Sequence, residues 1–327
     1  MLQGNINDVF FGYEDDIIDP CLDNVFKAIF TKETPEARGA LKELLSAIIG
    51  RSLSVLTITA NEPPVDSIRE RQIRYDISCV YDDGELCNIE MTLNPDATEP
   101  LRVEYYVSKL LISQDIRGRD RSYDDLKHTY QISLLVNDPV FKDEEFAHRF
   151  EYYDKEAGIS LNGRTHIITL ELSKLEHVAC KPVEEMTATE RWAVFFRYTS
   201  DKKKRELVNE IIKMEGGIAM AGQVLLTISK DQEERIRLIS EEKNILDYQS
   251  GMTNARRAGL KEGEKRADIK WQNVVADKDA EIADKDAEIA DKDAEIADKD
   301  AEIADKDAVI ADKDAEIAEL KKQLGEK

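Results

Sequence analysis

The chain has 327 residues, 42% of them hydrophobic, with a formal net charge of −22. That leaves room for one or two domains with a real core, and no apolar run approaches the ~20 residues of a membrane span. The acidic balance argues against indiscriminate nucleic-acid binding.

In chain order, residues 1–20 are acidic and read as irregular, with no basic or apolar segment of a secretory signal. Asp23 opens a helix whose apolar positions are Val25, Phe26, Ile29 and Phe30. Pro35 starts a second, with Ala40, Leu41, Leu44, Leu45, Ile48 and Ile49 on one face and Gly50 as its stop. Val55 to Thr59 reads as a strand, and Pro63-Pro64 breaks the chain. Arg74 to Thr92 reads as a β-hairpin around Asp82-Asp83-Gly84. Glu99 to Ile116 is predicted as an amphipathic helix, followed by a loop of arginines and strands at Gln131–Asn137 and Thr165–Leu172. This order predicts a mixed sheet flanked by helices, an α/β layer fold. Beyond Pro182 the pattern is helical, at Ala188–Arg197, Arg205–Lys213 and Gln232–Asp247. The expected organisation is a core over 1–180, a helical extension over 181–250, a glycine-spaced helical linker over 251–275 and a tail over 276–327.

The tail repeats Ala-Asp-Lys-Asp-Ala-Glu-Ile six times from Ala276 to Ile317, with Val309 replacing one Glu. Five units carry −2 and one −1, so the tract holds −11, half of the total charge. Ile317, Leu320 and Leu324 set a heptad register with isoleucine at every a position and lysine at every d, whereas a coiled coil wants apolar residues at both. A second register places the alanines at a and d. The tract therefore reads as a long charged helix, a weak coiled coil at best, through which copies of the chain could associate.

Two turns fit the hairpin. A two-residue Asp83-Gly84 loop pairs position 82 with 85, and a three-residue loop, a type I turn with Gly84 left-handed, pairs 81 with 85. In the second register Asp76 lies opposite Glu90 and Cys79 opposite Cys87, with opposed Cβ atoms about 4.5–5.5 Å apart. Two carboxylates that close need a raised pKa, a cationic partner or a metal. A hard cation such as Mg²⁺ binds through one or two carboxylates plus waters and substrate phosphates. The plainer reading, which the two-residue register would support by separating the acids, makes Asp76 and Glu90 the wet face of a half-exposed hairpin.

Four scattered cysteines (Cys21, Cys79, Cys87, Cys180) lack any zinc spacing and read as reduced thiols of a cytoplasmic protein. Histidines 128, 148, 166 and 177 show no ligand spacing either. Basic clusters stand at Arg69, Arg71 and Arg74, at Arg117, Arg119, Arg121 and Lys127, and at Lys202, Lys203, Lys204 and Arg205. Each reads as a solvated face or as a set of phosphate contacts. No Gly-x-Ser-x-Gly and no Gly-x-x-x-x-Gly-Lys-Ser/Thr occurs, which leaves serine hydrolases and P-loop ATPases unsupported.

The segments Asp23-Asn-Val-Phe-Lys-Ala-Ile-Phe30, Arg74-Tyr-Asp76, Asn88-Ile-Glu-Met91, Arg102 with Tyr105-Tyr106, Gln114 to Leu126 and Leu170-Glu-Leu-Ser-Lys174 resemble the bacterial PD-(D/E)XK nuclease family transposases over roughly residues 15–250. The resemblance implies a restriction-endonuclease-like core and Mg²⁺-dependent cleavage of DNA, with Mn²⁺ as a substitute ion. It implies that Asp76, Glu90 and the Met91 carbonyl hold the metal, and that Asp23 assists through a water, unless Asp23 is only a helix N-cap. Thr92 departs from the pattern, because the family carries Gln there and the wider superfamily Lys. Arg102 or Lys109, both on the next helix, is the expected substitute cation. The alternative is a weak or inactive nuclease-like module that binds DNA or a protein.

Overall fold

The computed structural model describes residues 11–54, 56–59, 74–114, 116 and 122–325. Helix α1 (Asp23–Thr31) buries Val25, Phe26, Ile29 and Phe30, the stripe its spacing predicts. Thr34 caps α2 (Pro35–Ile49) by accepting the Ala37 N–H, and Gly50 ends it at φ +86°, donating to the Ser46 carbonyl. Only a residue tolerant of the left-handed region closes a helix that way.

The strands are β1 (Leu56–Ile58), β2 (Ile77–Tyr81), β3 (Glu85–Thr92), β4 (Thr129–Leu135), β5 (Ala147–Phe150), β6 (Tyr153–Asp154), β7 (Ile159–Ser160) and β8 (Thr165–Glu171). Six of them form one sheet in the order β1-β2-β3-β4-β8-β5, and β6 pairs with β7 apart from it. The sheet is mixed: β3, β4 and β8 run parallel, while β1–β2, β2–β3 and β5–β8 are antiparallel. Helix α3 (Glu99–Ile112) connects β3 to β4 and stops four residues short of the predicted end.

The hairpin takes the three-residue register. Tyr81 pairs with Glu85, Cys79 with Cys87 and Ile77 with Ile89. Gly84 has φ +91° and donates its N–H to the Tyr81 carbonyl at 3.1 Å. The turn is not type I, because Asp82 also has a positive φ, +43°. Its side chain accounts for this: Asp82 Oδ1 accepts from both Ser54 N–H and Ser54 Oγ at 2.7 Å, and Oδ2 accepts from Arg51. Aspartate is among the residues that tolerate this region.

Alternation gives the sheet two unlike faces. One carries Ile77, Cys79, Tyr81, Cys87, Ile89, Met91, Ile132, Leu134, Ile168 and Leu170, all in the main core. The other carries Ser78, Asn88, Glu90, Gln131, Ser133 and Thr169, all buried and polar. Helix α3 packs against strands β3, β4 and β8.

The helical part begins with α4 (Ala188–Tyr198) and α5 (Arg205–Met214) and continues with α6 (Gly216–Lys230) and α7 (Gln232–Gly325). Helix α6 is an addition to the elements read from the sequence. It crosses α2 so closely that a Cβ on Gly217 would stand 2.4 Å from Glu43 Cβ, and one on Gly39 would stand 2.6 Å from Met220 Sδ. Arg205 is no part of a solvated basic cluster. It is 1% exposed, donates to the Thr199 and Asp15 carbonyls and lies over the Phe11 ring. Arg69, Arg71, Arg117, Arg119 and Arg121 lie outside the described residues, as does Pro63-Pro64. Cys79 and Cys87 are buried free thiols, as read from the sequence.

The chain divides into two compact units, one ending at Leu246 and the other beginning at Asp247. In the second, Lys285, Lys292, Lys299 and Lys306 each pair with the glutamate four residues earlier. Glutamate ahead of lysine at that spacing supports an isolated helix by roughly 0.2–0.5 kcal/mol per pair. The repeat isoleucines are about half exposed. Among the described residues, no helix is long and apolar enough to cross a membrane.

Candidate active site

The ladder between β2 and β3 ends at Ile77 and Ile89, and one step further Asp76 faces Glu90. Each acid is held by the backbone of the opposite strand. Asp76 N–H donates to Glu90 Oε1 at 3.1 Å, and Met91 N–H donates to Asp76 Oδ2 at 3.0 Å. The N–H and C=O of a strand residue point to the same edge, so the Met91 carbonyl also faces the edge that β2 has left. The wet-face reading of the hairpin does not survive, because Glu90 is 3% exposed.

Burial, then the nearby Asp76 charge, pushes the Glu90 carboxyl up to about 8. Burial and Asp23 raise Asp76 as well. Glu90 stands at the end of a polar row. Asn88 Nδ2 donates to Glu90 Oε1 at 2.9 Å and to Gln131 Oε1 at 2.8 Å, and Gln131 Nε2 donates to Ser133 Oγ at 3.2 Å.

Two cations meet the acids. Lys27, one turn into α1, places Nζ 2.9 Å from Asp76 Oδ1 and 2.8 Å from Asp23 Oδ2. Burial works against its charge, but Asp76 and Asp23 outweigh burial and raise its pKa. Arg102 on α3 donates to both oxygens of the buried Glu99 and to Thr92 Oγ1, with Nη1 3.8 Å from Glu90 Oε2. Lys109 lies two turns on, about 10 Å along the helix axis, with Nζ 5.9 Å from the Tyr105 ring centroid. Of the two α3 cations read from the sequence, Arg102 is the one placed at Thr92 and Glu90. Tyr75 ties the start of β2 to α3 through its hydroxyl, which donates to the Tyr106 carbonyl, and through an edge-on contact with the Tyr106 ring.

Asp23 does not act as an N-cap. Leu22 occupies that position, with no side-chain cap. The carboxylate of Asp23 turns to Lys27 instead, and its Oδ1 is a buried oxygen without a hydrogen-bond partner. Lys27 is the functional candidate that the sequence reading missed. Its signal was there, since lysine four residues after aspartate on a helix places the two side chains together.

Two further clusters lie off the acids. The register puts Thr92, Leu135 and Glu171 in one row across β3, β4 and β8, so Glu171 is about 10 Å from Thr92 at ordinary strand spacing. Glu171 is fully buried, accepts the Val140 and Phe141 N–H groups and pairs with Lys174. At the opposite ends of β4 and β8, His128 and His166 approach to 2.7 Å between ring nitrogens, flanked by Arg164 and Glu151. Among the described residues, no three His, Cys, Asp or Glu side chains gather into a ready metal cage. The hairpin acids offer donors of the kind a hard ion could use. Their donors are all oxygens, one acid is buried with its charge poorly offset, and a neighbouring buried oxygen lacks a partner.

Neither a curated protein nor a solved structure matches the chain. The profile of the PD-(D/E)XK nuclease family transposases matches residues 20–255, a span that holds α1, the hairpin acids and the polar sheet face. The chain belongs to the PD-(D/E)XK nuclease family transposases.

Proposed function

We propose that the chain is a metal-dependent endonuclease that hydrolyses DNA phosphodiester bonds in recombination or transposition. The observation that carries this reading is the meeting of the buried Glu90 on β3 with the part-buried Asp76, the residue just before β2 begins. Such a pair is poorly stabilised alone and well matched to a divalent ion.

The residues present fit that ion. Asp76, Glu90 and the Met91 carbonyl would hold Mg²⁺ or Mn²⁺, and Asp23 would reach it through a water. When bound, the ion lowers the pKa of a coordinated water and offsets phosphate charge. The protein's own groups do the rest. The Met91 and Asp76 N–H groups fix one oxygen of each acid, which leaves Asp76 Oδ1 and Glu90 Oε2 facing cations. Arg102 donates to Thr92 Oγ1, so the hydroxyl proton of Thr92 is left to donate elsewhere, as a neutral donor in place of the family's amide. In the hydrolysis, a water gives up a proton to solvent as its oxygen bonds to phosphorus, the bond from phosphorus to the leaving oxygen breaks, and that oxygen takes up a proton from solvent.

Plasmid nicking across a metal series tests this. Wild type is expected to cut with Mg²⁺ or Mn²⁺, and Asp76→Asn and Glu90→Gln to lose at least ~100-fold, the scale of losing a group that stabilises transition-state charge. Thr92 favours the second reading, a nuclease-like binding module. DNA binding that survives both substitutions, with no cutting by wild type under any ion, would establish that one.

A further inference from the structure

Arg102 is fully committed. Its guanidinium spans both oxygens of buried Glu99 as well as Thr92, and moving it would strand the Glu99 charge. Lys27 is placed differently. It carries a point charge on a flexible stem and is a quarter exposed. It holds Asp76 by Oδ1, the oxygen that the Met91 N–H leaves open. An ion bound to Asp76 and the Lys27 ammonium therefore compete for one atom. Asp23, 2.8 Å away, keeps the ammonium beside the site when it leaves that atom.

We propose that Lys27 is the resident counter-cation of the Asp23–Asp76 pair, that a divalent ion displaces it from Asp76, and that the freed ammonium then meets the non-bridging oxygens of the scissile phosphate. The proposal rests on the metal-dependent reading above. It moves the cation that a transition state with growing phosphate charge requires from the strand, where Thr92 stands, to the first helix.

The test is Mn²⁺ titration of the full chain by calorimetry, with nicking measured on the same preparations. Lys27→Met removes the competitor, so it is expected to bind Mn²⁺ up to ~5-fold tighter, the equivalent of one ion pair, and yet to nick at least ~100-fold more slowly. Wild type that binds Mn²⁺ while Lys27→Met binds it no tighter overturns the displacement. Lys27→Met that nicks at the wild-type rate overturns the phosphate contact. Wild type that binds no Mn²⁺ refutes the metal-dependent reading itself, and the displacement with it. If Lys27→Met does not fold, the ammonium nitrogen resonance of Lys27 in wild type decides. It must shift as Mg²⁺ is added, and a resonance that stays still during saturable binding overturns the proposal.

Discussion

Replacing Glu90 by glutamine separates the cost of the buried acid from its use. With no ion bound, the Glu90 carboxyl is pushed up to about 8, first by burial and then by Asp76. An acid with a raised folded-state pKa binds its proton more tightly when folded. The stability of the metal-free chain must therefore fall as pH rises from the ordinary value of 4.5 towards about 8, and level off above that. At pH 7, holding the proton against an ordinary glutamate costs about 3 kcal/mol. Glutamine keeps the oxygen that accepts from Asp76 N–H and Asn88 and has no charge to suppress. Its amide, however, faces Arg102. The net expectation is that Glu90→Gln stabilises the metal-free fold by roughly 1–3 kcal/mol at pH 7 and by nothing near pH 4.5. Urea unfolding in the presence of a chelator, across that range, measures it. Added Mn²⁺ should then stabilise wild type and leave the variant unchanged. A variant less stable than wild type at every pH, or a difference that does not vary with pH, refutes the claim that this carboxyl is held at a cost for an ion.

Arg102→Ala should lower stability by roughly 1–3 kcal/mol in urea unfolding, because it leaves buried Glu99 without its partner; the partly exposed guanidinium keeps the figure below that of a fully buried pair. A peptide of residues 276–317 should be helical in dilute buffer and lose helicity at about 1 M salt, since its Glu–Lys pairs at i,i+4 are exposed and screened. Circular dichroism reads this directly, and salt-independent helicity would show that alanine content alone holds the helix.

The hairpin was legible because its information is local. Asp-Asp-Gly admits two loop lengths, each length fixes a parity, and one parity brings the acids together. The ends of α2 were legible for the same reason, since Pro35 and Gly50 act within one turn. Helix α6 was not. It is apolar on nearly every side, so the 3.6-residue period is faint, and Gly217, which reads as a breaker, is there to let α6 approach α2. Arg205 looked like one more residue of a basic run until the N-terminal segment closed over it through Phe11 and Asp15. Lys27 was hidden in part. Its spacing from Asp23 was visible, but its contact with Asp76 depends on α1 packing near the end of β3, which is tertiary.

The site sits where the sheet's two faces and its strand ends combine. An acid on the apolar face would meet Ile89 and Cys79 and find no partner. On the polar face Glu90 has Asn88 beside it and Arg102 above it, and it remains buried. Had β2 started two residues earlier in ladder form, Met91 N–H and C=O would have been spent on Tyr75, its partner in that register. Because β2 starts only at Ile77, Met91 N–H turns to Asp76 instead, and the carbonyl faces the same edge. Three oxygen-bearing groups, the Asp76 and Glu90 carboxyls and the Met91 carbonyl, therefore stand at one end of the β2–β3 ladder. Position 92 lies two residues beyond Glu90, on the same face but past the end of that gap, where Arg102 claims it. For the proposed hydrolysis, a cation is better supplied across the gap from α1, where Lys27 already spans Asp23 and Asp76.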